Sequence, residues 1–288
     1  MQQQSSNVQG RPERASAAVT LLVGAGRMGG ALLKGWLARG VAPLAVVEPI
    51  PNKELRALAG RHAIRLLESA AQAGALRVSN CVVALKPQIL RIEGANLRPF
   101  ARPGTLMLSI AAGTSIAALR KAWGREATIV RAMPNTPGAV GRGISVLYAT
   151  RGTPASFRRR SEALLAGLGE TLWVGREALI DVVTAVSGSG PAYVFLLAEC
   201  LARAAREEGL SPAVADRLAR KTVEGAGALL DCDPREPASQ RRDVTSPGGT
   251  TEAALAVLTK NDALERLMIR AVAAARTRAT ELRRQSEE

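Results

Sequence analysis

The sequence predicts an α/β domain built on a mostly parallel sheet, followed by an all-helical domain. Three observations carry this. Short apolar runs alternate with helix-periodic segments through the first part of the chain. Those runs are continuously apolar, as strands buried on both faces are. After about Gly175 the runs stop and only helical spacing remains.

The elements follow in order. "AVTLLVG" (Ala18 to Gly24) reads as a buried strand ending in glycine. "RMGGALLKGWLARG" has helical spacing and stops at Gly40. "LAVVEP" is a second strand, "NKELRALAG" a second helix, "AIRLL" a third strand, and "SAAQAGA" a short helix opened by Ser69. "CVVALKP" is a buried strand ended by Pro87. A helical stretch leads to the strand in "PGTLMLSIAAG", then the helix "SIAALRKAW" and the strands "TIVRAMP" and "GISVLYAT". "TPASFRRRSEALLAGLG" reads as a capped helix and "ETLWV" as the last strand. "EALIDVVTAVSG", "GPAYVFLLAECLARAAREEG", "SPAVADRLARKTVEGAGALLD" and "GTTEAALAVLTK" read as helices. "DALERLMIRAVAAARTRATELRRQ" reads as one long helix. Two domains are therefore expected, over 18–175 and 176–288. Residues 1–17 are polar, without an apolar core, and are expected to form a disordered tail rather than a signal.

Composition narrows the function. Of 288 residues, 47% are hydrophobic and 3% aromatic, so the core rests on Ala, Val and Leu. Few aromatics argue against a single-stranded nucleic-acid binder. The net charge is +14, but the arginines are spread along the chain. The densest cluster, Arg158 to Arg160, falls on an expected surface helix and reads as solvated basic surface, with no nucleic-acid partner. Cys81, Cys200 and Cys232 are scattered and form no CxxC pair, which fits a reducing, cytoplasmic setting. His62 is the lone histidine and reads as a surface residue, so a multi-histidine metal site is excluded. No apolar run is read as approaching the roughly 20 residues of a membrane span, so no membrane partner is expected.

The first strand leads into Gly24-x-Gly26-x-x-Gly29, at the start of a helix. That context turns a weak motif into a dinucleotide fingerprint. Gly24 permits the tight turn, Gly26 lets the backbone approach a pyrophosphate, and Gly29 allows close packing of helix on strand. Val23, Ala25, Arg27 and Met28 complete this turn, and the helix N-terminus offers N–H groups to the phosphates. The first domain is thus expected to be Rossmann-type. Glu48 ends the second strand, 19 residues after Gly29. A carboxylate there bonds ribose hydroxyls and repels a 2′-phosphate, which favours NAD. Pro49, Arg27 and Lys53 leave NADP open. Ala84, Leu85, Lys86 and Pro87 end one later strand, and Pro134 and Asn135 end another. All lie where the cofactor groove of an open sheet forms, though each is equally readable as a strand-end turn.

Two further motifs lie in the helical part. Ser246-Pro247-Gly248-Gly249-Thr250-Thr251 opens a helix with small residues and hydroxyls. It is either a clamp for a small anion, with Gly248 and Gly249 N–H groups pointing into one concavity, or a helix start capped by Ser246 or Thr250. "SGSGPAY" reads as a turn over Ser187 to Gly190, with Pro191 at the first helical position.

"GAGRMG", "ALKP", "RAMPNTP", "SGSGPAY" and "SPGGTT", in this order, resemble the pyrroline-5-carboxylate reductase family from about Val19 to the last helix. The resemblance implies NADPH- or NADH-dependent reduction of 1-pyrroline-5-carboxylate to L-proline, the last step of proline biosynthesis. It implies that the all-α C-terminal domain is a dimerisation domain interlocked in a homodimer, which in turn builds rings. It implies that Ser246, Gly249, Thr250 and Thr251 bind substrate, and that Thr251 bonds the ring nitrogen and assists its protonation. It also implies that "SGSGPAY" faces the nicotinamide and the substrate, with Ser187 and Ser189 as substrate contacts. Tyr193 reads as a packing residue. Two departures stand out: the 17-residue tail, and Glu48 where family members often carry a small polar residue.

The reaction needs no catalytic histidine and no metal. A protonated cyclic imine is already electrophilic, and the cofactor supplies the hydride. Three alternatives remain. A β-hydroxyacid dehydrogenase shares the "GAGxMG" opening, but its helical-domain lysine has no counterpart in "GPAYVFLLAECLARAAREEG". An imine reductase with another substrate is the second. A nucleotide-sensing binding protein, docking a partner through its basic surface, is the third.

Overall fold

The structure, a computed structural model, describes residues 18–288. The tail expected over 1–17 lies outside the described residues. One eight-stranded sheet is built from β1 (Val19–Val23), β2 (Leu44–Val47), β3 (Arg65–Leu67), β4 (Val78–Val83), β5 (Leu106–Ser109), β6 (Thr128–Met133), β7 (Gly143–Ala149) and β8 (Gly169–Trp173). Their order is β3-β2-β1-β4-β5-β6-β7-β8. The first six are parallel, the order of a doubly wound dinucleotide fold. β7 runs antiparallel to β6, and β8 parallel to β7. The short link between β6 and β7 holds only a 3₁₀ turn, Thr136–Val140. It has no room for the crossover helix that a parallel neighbour requires.

The helices of this region are α1 (Arg27–Ala38), α2 (Lys53–Arg61), α3 (Pro87–Glu93), α4 (Ile116–Trp123) and α5 (Ala155–Leu165). Alternate strand residues feed two cores. Leu22, Val46, Val82, Leu108 and Val130 pack with Trp36 of α1 and Leu164 of α5. Leu21, Cys81, Met107 and Ile129 pack on the other face with Leu90 of α3 and Trp123 of α4. Burial pushes the Cys81 thiol up to about 12, so it stays protonated at neutral pH.

Three local expectations change. The segment opened by Ser69 is a single 3₁₀ turn, Ala71–Ala73, too short for an α-helix. α5 starts after Pro154 with no side-chain cap, because the Thr153 hydroxyl instead donates to the Thr150 carbonyl at 2.9 Å. The arginine cluster on α5 is partly structural. Arg160 donates to the Ser79 carbonyl and to Asn80 Oδ1, and Arg158 lies 4.5 Å over the Trp173 ring.

Beyond Trp173 the described residues are helical: α6 (Leu179–Val183), α7 (Gly190–Glu207), α8 (Pro212–Cys232), α9 (Pro237–Asp243), α10 (Thr250–Thr259) and α11 (Ala263–Glu287). α6 and α7 are not separated by the expected turn. A π-turn, Thr184–Gly188, joins them, closed by the Ser189 N–H to the Thr184 carbonyl at 2.8 Å. Pro191 lacks the N–H that a regular turn would need, and its ring crowds the carbonyl four residues back. The wide turn absorbs both faults. The resulting rod, Leu179–Glu207, is 29 residues long and apolar enough, by length and composition alone, to cross a membrane. This corrects the expectation from sequence, where glycines and a proline break the run.

Much of the helical face is exposed in the single chain. Phe195, Leu197, Leu218 and Ile269 are each more than half exposed. α11 nevertheless returns to its own nucleotide-fold region. Gly113, in the turn before α4, meets Leu282, with no room there for a larger residue. The Ser115 N–H bonds Ser286 Oγ, and Lys121 Nζ bonds the Glu288 carbonyl at 3.2 Å.

Candidate active site

The glycine turn is held from three sides. Gly24 takes a left-handed φ of +89° and its N–H donates to the Val47 carbonyl at 2.9 Å. A Cβ at Gly24 would stand 2.9 Å from the Ala84 carbonyl oxygen, and one at Gly29 would collide with the Gly24 carbonyl. Both positions therefore need glycine. A Cβ at Gly26 would meet nothing within 4 Å. Gly26 faces a cleft of ≈370 Å³ that Ala25, Arg27, Lys34, Asn52 and Glu54 also line. A second cleft, of ≈250 Å³ and lined by Arg77, Arg102 and Thr105, opens at the start of the strands. It lies away from the strand carboxyl ends where this fold binds ligands.

The expected strand-end motifs gather around this turn. Val23 is buried in β1, and the Ala84 N–H donates to its carbonyl at 2.8 Å. Met28 packs on the core, and Arg27 is exposed at the first helical position. Lys86 is the exposed N-cap residue of α3, with Pro87 at its first turn and Leu85 against Gly24. Pro134 is buried. Asn135 plays a structural part, since its Oδ1 accepts the Ile144 N–H at 2.9 Å and fixes the entry to β7. Glu48 Oε2 accepts the Ala25 N–H at 2.8 Å.

The π-turn reaches the same end of the sheet. A Cβ at Gly188 would lie 2.8 Å from Cε of Met133, the last residue of β6. "SGSGPAY" and "RAMPNTP" are thus neighbours. Ser187 Oγ donates to the Val183 carbonyl at 3.1 Å. Tyr193 donates its hydroxyl to the Ala185 carbonyl at 3.0 Å, a packing role as expected.

Ser246 to Gly249 form a turn with Gly248 at φ +71° after Pro247, closed by the Gly249 N–H to the Ser246 carbonyl at 3.0 Å. The Gly248 N–H donates to Glu252 Oε2 at 2.7 Å. Gly249 is the N-cap of α10 and no side chain caps it. The alternative of a cap from Ser246 or Thr250 is therefore not realised. Both glycine N–H groups already have acceptors. Among the described residues, the N–H groups and hydroxyls of Thr250 and Thr251 have no hydrogen-bond partner. α10 neighbours α11 and the turn between them, and the hydrogen bonds of 246–252 are all local.

Sequence reasoning misses a buried ion cluster beneath the site. Arg131 of β6 is 1% exposed. Its guanidinium bonds Glu177 Oε1 at 3.0 Å and stands 3.9 Å from Asp181 Oδ1. Asp181 Oδ2 accepts from Arg283 Nε at 2.9 Å and Thr280 at 3.1 Å, both on α11. Burial lowers the Arg131 pKa, while Glu177 and Asp181 work against that shift. The bond to Asp181 raises that of Arg283. An arginine inside the apolar run "TIVRAMP" is the available signal, but its partners lie far along the chain.

A glycine turn at the strand ends, opening on a cleft with room beside Gly26, fits a bound dinucleotide. Turn, cleft and appended helices together define a nicotinamide-dinucleotide-binding oxidoreductase of the Rossmann type. Residues 177–282 match a family model described as pyrroline-5-carboxylate reductase dimerisation. The chain is 41% identical, over 91% of its length and 96% of the relative's, to pyrroline-5-carboxylate reductase from Pseudomonas aeruginosa. A pyrroline-5-carboxylate reductase structure from Coxiella burnetii superposes with a TM-score of 0.85 at 32% identity, over 93% of this chain and 98% of that one. A Plasmodium falciparum pyrroline carboxylate reductase with NADP bound gives 0.78 at 26% identity, over 93% and 99%. The chain belongs to the pyrroline-5-carboxylate reductase family.

Proposed function

We infer that the chain reduces 1-pyrroline-5-carboxylate to L-proline with NADPH or NADH, the last step of proline biosynthesis. The observation that carries the reading is the meeting of "GAGRMG", "ALKP", "RAMPNTP" and "SGSGPAY" at one end of the sheet, in a chain so similar to named reductases. When bound, the cofactor supplies the hydride to the imine carbon. The chain's own residues bind and orient. The first turn of α1 holds the pyrophosphate through backbone N–H groups. The free N–H groups of Thr250 and Thr251 hold the substrate carboxylate at the positive end of α10. The Thr251 hydroxyl bonds the ring nitrogen and keeps its proton in place. Ser246, Ser187 and Ser189 border the same space.

The test uses purified protein with 1-pyrroline-5-carboxylate and each cofactor in turn. Loss of nicotinamide absorbance with formation of proline is expected. Oxidation of neither cofactor overturns the reading.

We assign 18–175 to the dinucleotide-binding domain and 176–288 to the substrate and dimerisation domain. The exposed apolar face of α7 and α8 is assigned to a second copy of the chain, giving a homodimer and, from it, rings of dimers. Glu199, Arg203 and Arg206 interrupt α7, and Asp181 begins the rod in an ion pair, which suits a protein partner better than lipid. Support for a shared site comes from α10, whose contacts in one chain are with α11 rather than the sheet. Sedimentation should return an even multiple of the chain mass at micromolar concentration, and a monomer there would remove the homodimer. A cytoplasmic setting is supported by the three unpaired cysteines.

A further inference from the structure

We propose that Glu48 makes this enzyme prefer NADH over NADPH. This rests on the reading above only in placing a nicotinamide dinucleotide in the groove. Glu48 continues β2, its N–H bonded to the Leu67 carbonyl at 2.9 Å. Its side chain turns towards the glycine turn, where Oε2 accepts the Ala25 N–H at 2.8 Å. The carboxylate is therefore fixed at the strand end where the adenosine ribose lies in this fold. It is half-buried, and Oε1, which accepts only a long 3.4 Å bond from the Ile50 N–H, has a further lone pair for ribose hydroxyl protons. A 2′-phosphate placed there would face a fixed like charge.

The loop after Glu48 compounds the effect. An added phosphate needs N–H groups, hydroxyls or cations. Pro49 and Pro51 have no N–H to give. The Ile50 N–H points to Glu48 Oε1 at 3.4 Å, and the Ile50 side chain is 86% exposed. Asn52 Oδ1 caps α2 by accepting the Leu55 N–H at 2.8 Å. Of the nearby cations, Lys34 pairs with Glu54 at 2.6 Å, and Arg56 Nε is held by the Pro51 carbonyl at 3.1 Å. Arg27 belongs to the phosphate turn. Lys53 remains, exposed and screened by solvent.

The experiment is equilibrium titration of the purified oligomer with NADH and with NADPH, without substrate. It is repeated on Glu48→Gln, which keeps an oxygen acceptor for the Ala25 N–H and removes the charge. The wild-type protein should bind NADH about tenfold or more tightly than NADPH. The variant should shrink that ratio by about tenfold, chiefly through tighter NADPH binding, with the same shift in the kcat/KM ratio. NADPH bound as tightly as NADH by the wild type overturns the inference alone, and so does a ratio that Glu48→Gln leaves unchanged. Binding of neither dinucleotide overturns both this inference and the reductase reading.

Discussion

Replacing Thr251 with alanine is expected to lower kcat by about 10- to 100-fold, the range lost when a hydrogen bond to a charged group is removed. The affinity for NADH or NADPH should stay within about twofold. The reason starts at the helix end. α10 begins without a side-chain cap, so its first N–H groups and partial positive charge are offered outward. The preceding turn satisfies its own glycine N–H groups through the Ser246 carbonyl and Glu252. That leaves Thr250 and Thr251 as the donors at the tip. Alanine at position 251 keeps the backbone N–H and removes only the hydroxyl. Alanine also favours helix over threonine, so a loss of rate would not come from a weakened α10. Serine at the same position should recover most of the rate. Steady-state kinetics with direct cofactor titration checks this, and an unchanged kcat would remove the hydroxyl from the mechanism.

Replacing Arg131 with methionine should reduce the free energy of unfolding by about 3 kcal/mol or more, the usual cost of deleting one member of a buried ion cluster. Arg131 is the only cation touching Glu177 in the described cluster, and it also faces Asp181, whose side chain is 4% exposed. Methionine fills similar volume, so the loss is electrostatic rather than a cavity. Arg131→Lys should recover only part of it, because one ammonium cannot address two carboxylates as a planar guanidinium does. Denaturant unfolding at fixed protein concentration measures the effect, since oligomer dissociation makes stability concentration-dependent. A loss below about 1 kcal/mol would show that Glu177 and Asp181 are neutralised without Arg131.

The strands are legible in the sequence because runs such as "TLLV" and "CVVAL" carry their burial in composition alone, and glycine or proline marks their ends. The glycine turn is legible because part of its demand is local: Gly24 needs a positive φ, and Gly29 must clear the Gly24 carbonyl five residues back. The antiparallel β7 is implicit in the short link before it, which leaves no crossover. "SGSGP" reads as a turn because each residue favours turns singly. In the structure Gly188 is small to pass Met133, and Pro191 is absorbed by a widened helix turn. Those causes are tertiary. α9 escapes a reading by periodicity too, being seven residues without an apolar stripe. In the cluster around Arg131, directly bonded residues stand up to 102 positions apart, which no local pattern records. At "SPGGTT" the motif is visible, but not which of its N–H groups are already bonded.

The return of α11 to the sheet region ties stability to the order of synthesis. All eight strands, from Val19 to Trp173, precede α6 to α11 in the chain and so are translated before them. Asp181 then sits beside Arg131 with its second cation, Arg283, still untranslated. The seat on Gly113 also waits for Leu282. A product cut short before Thr280 would keep a buried carboxylate with half its neutralising charge and leave Gly113 without Leu282. Such a chain stands closer to its unfolding threshold, where proteases act on it. The last two turns of α11 thus complete both the neutralisation of Asp181 and the seat on Gly113.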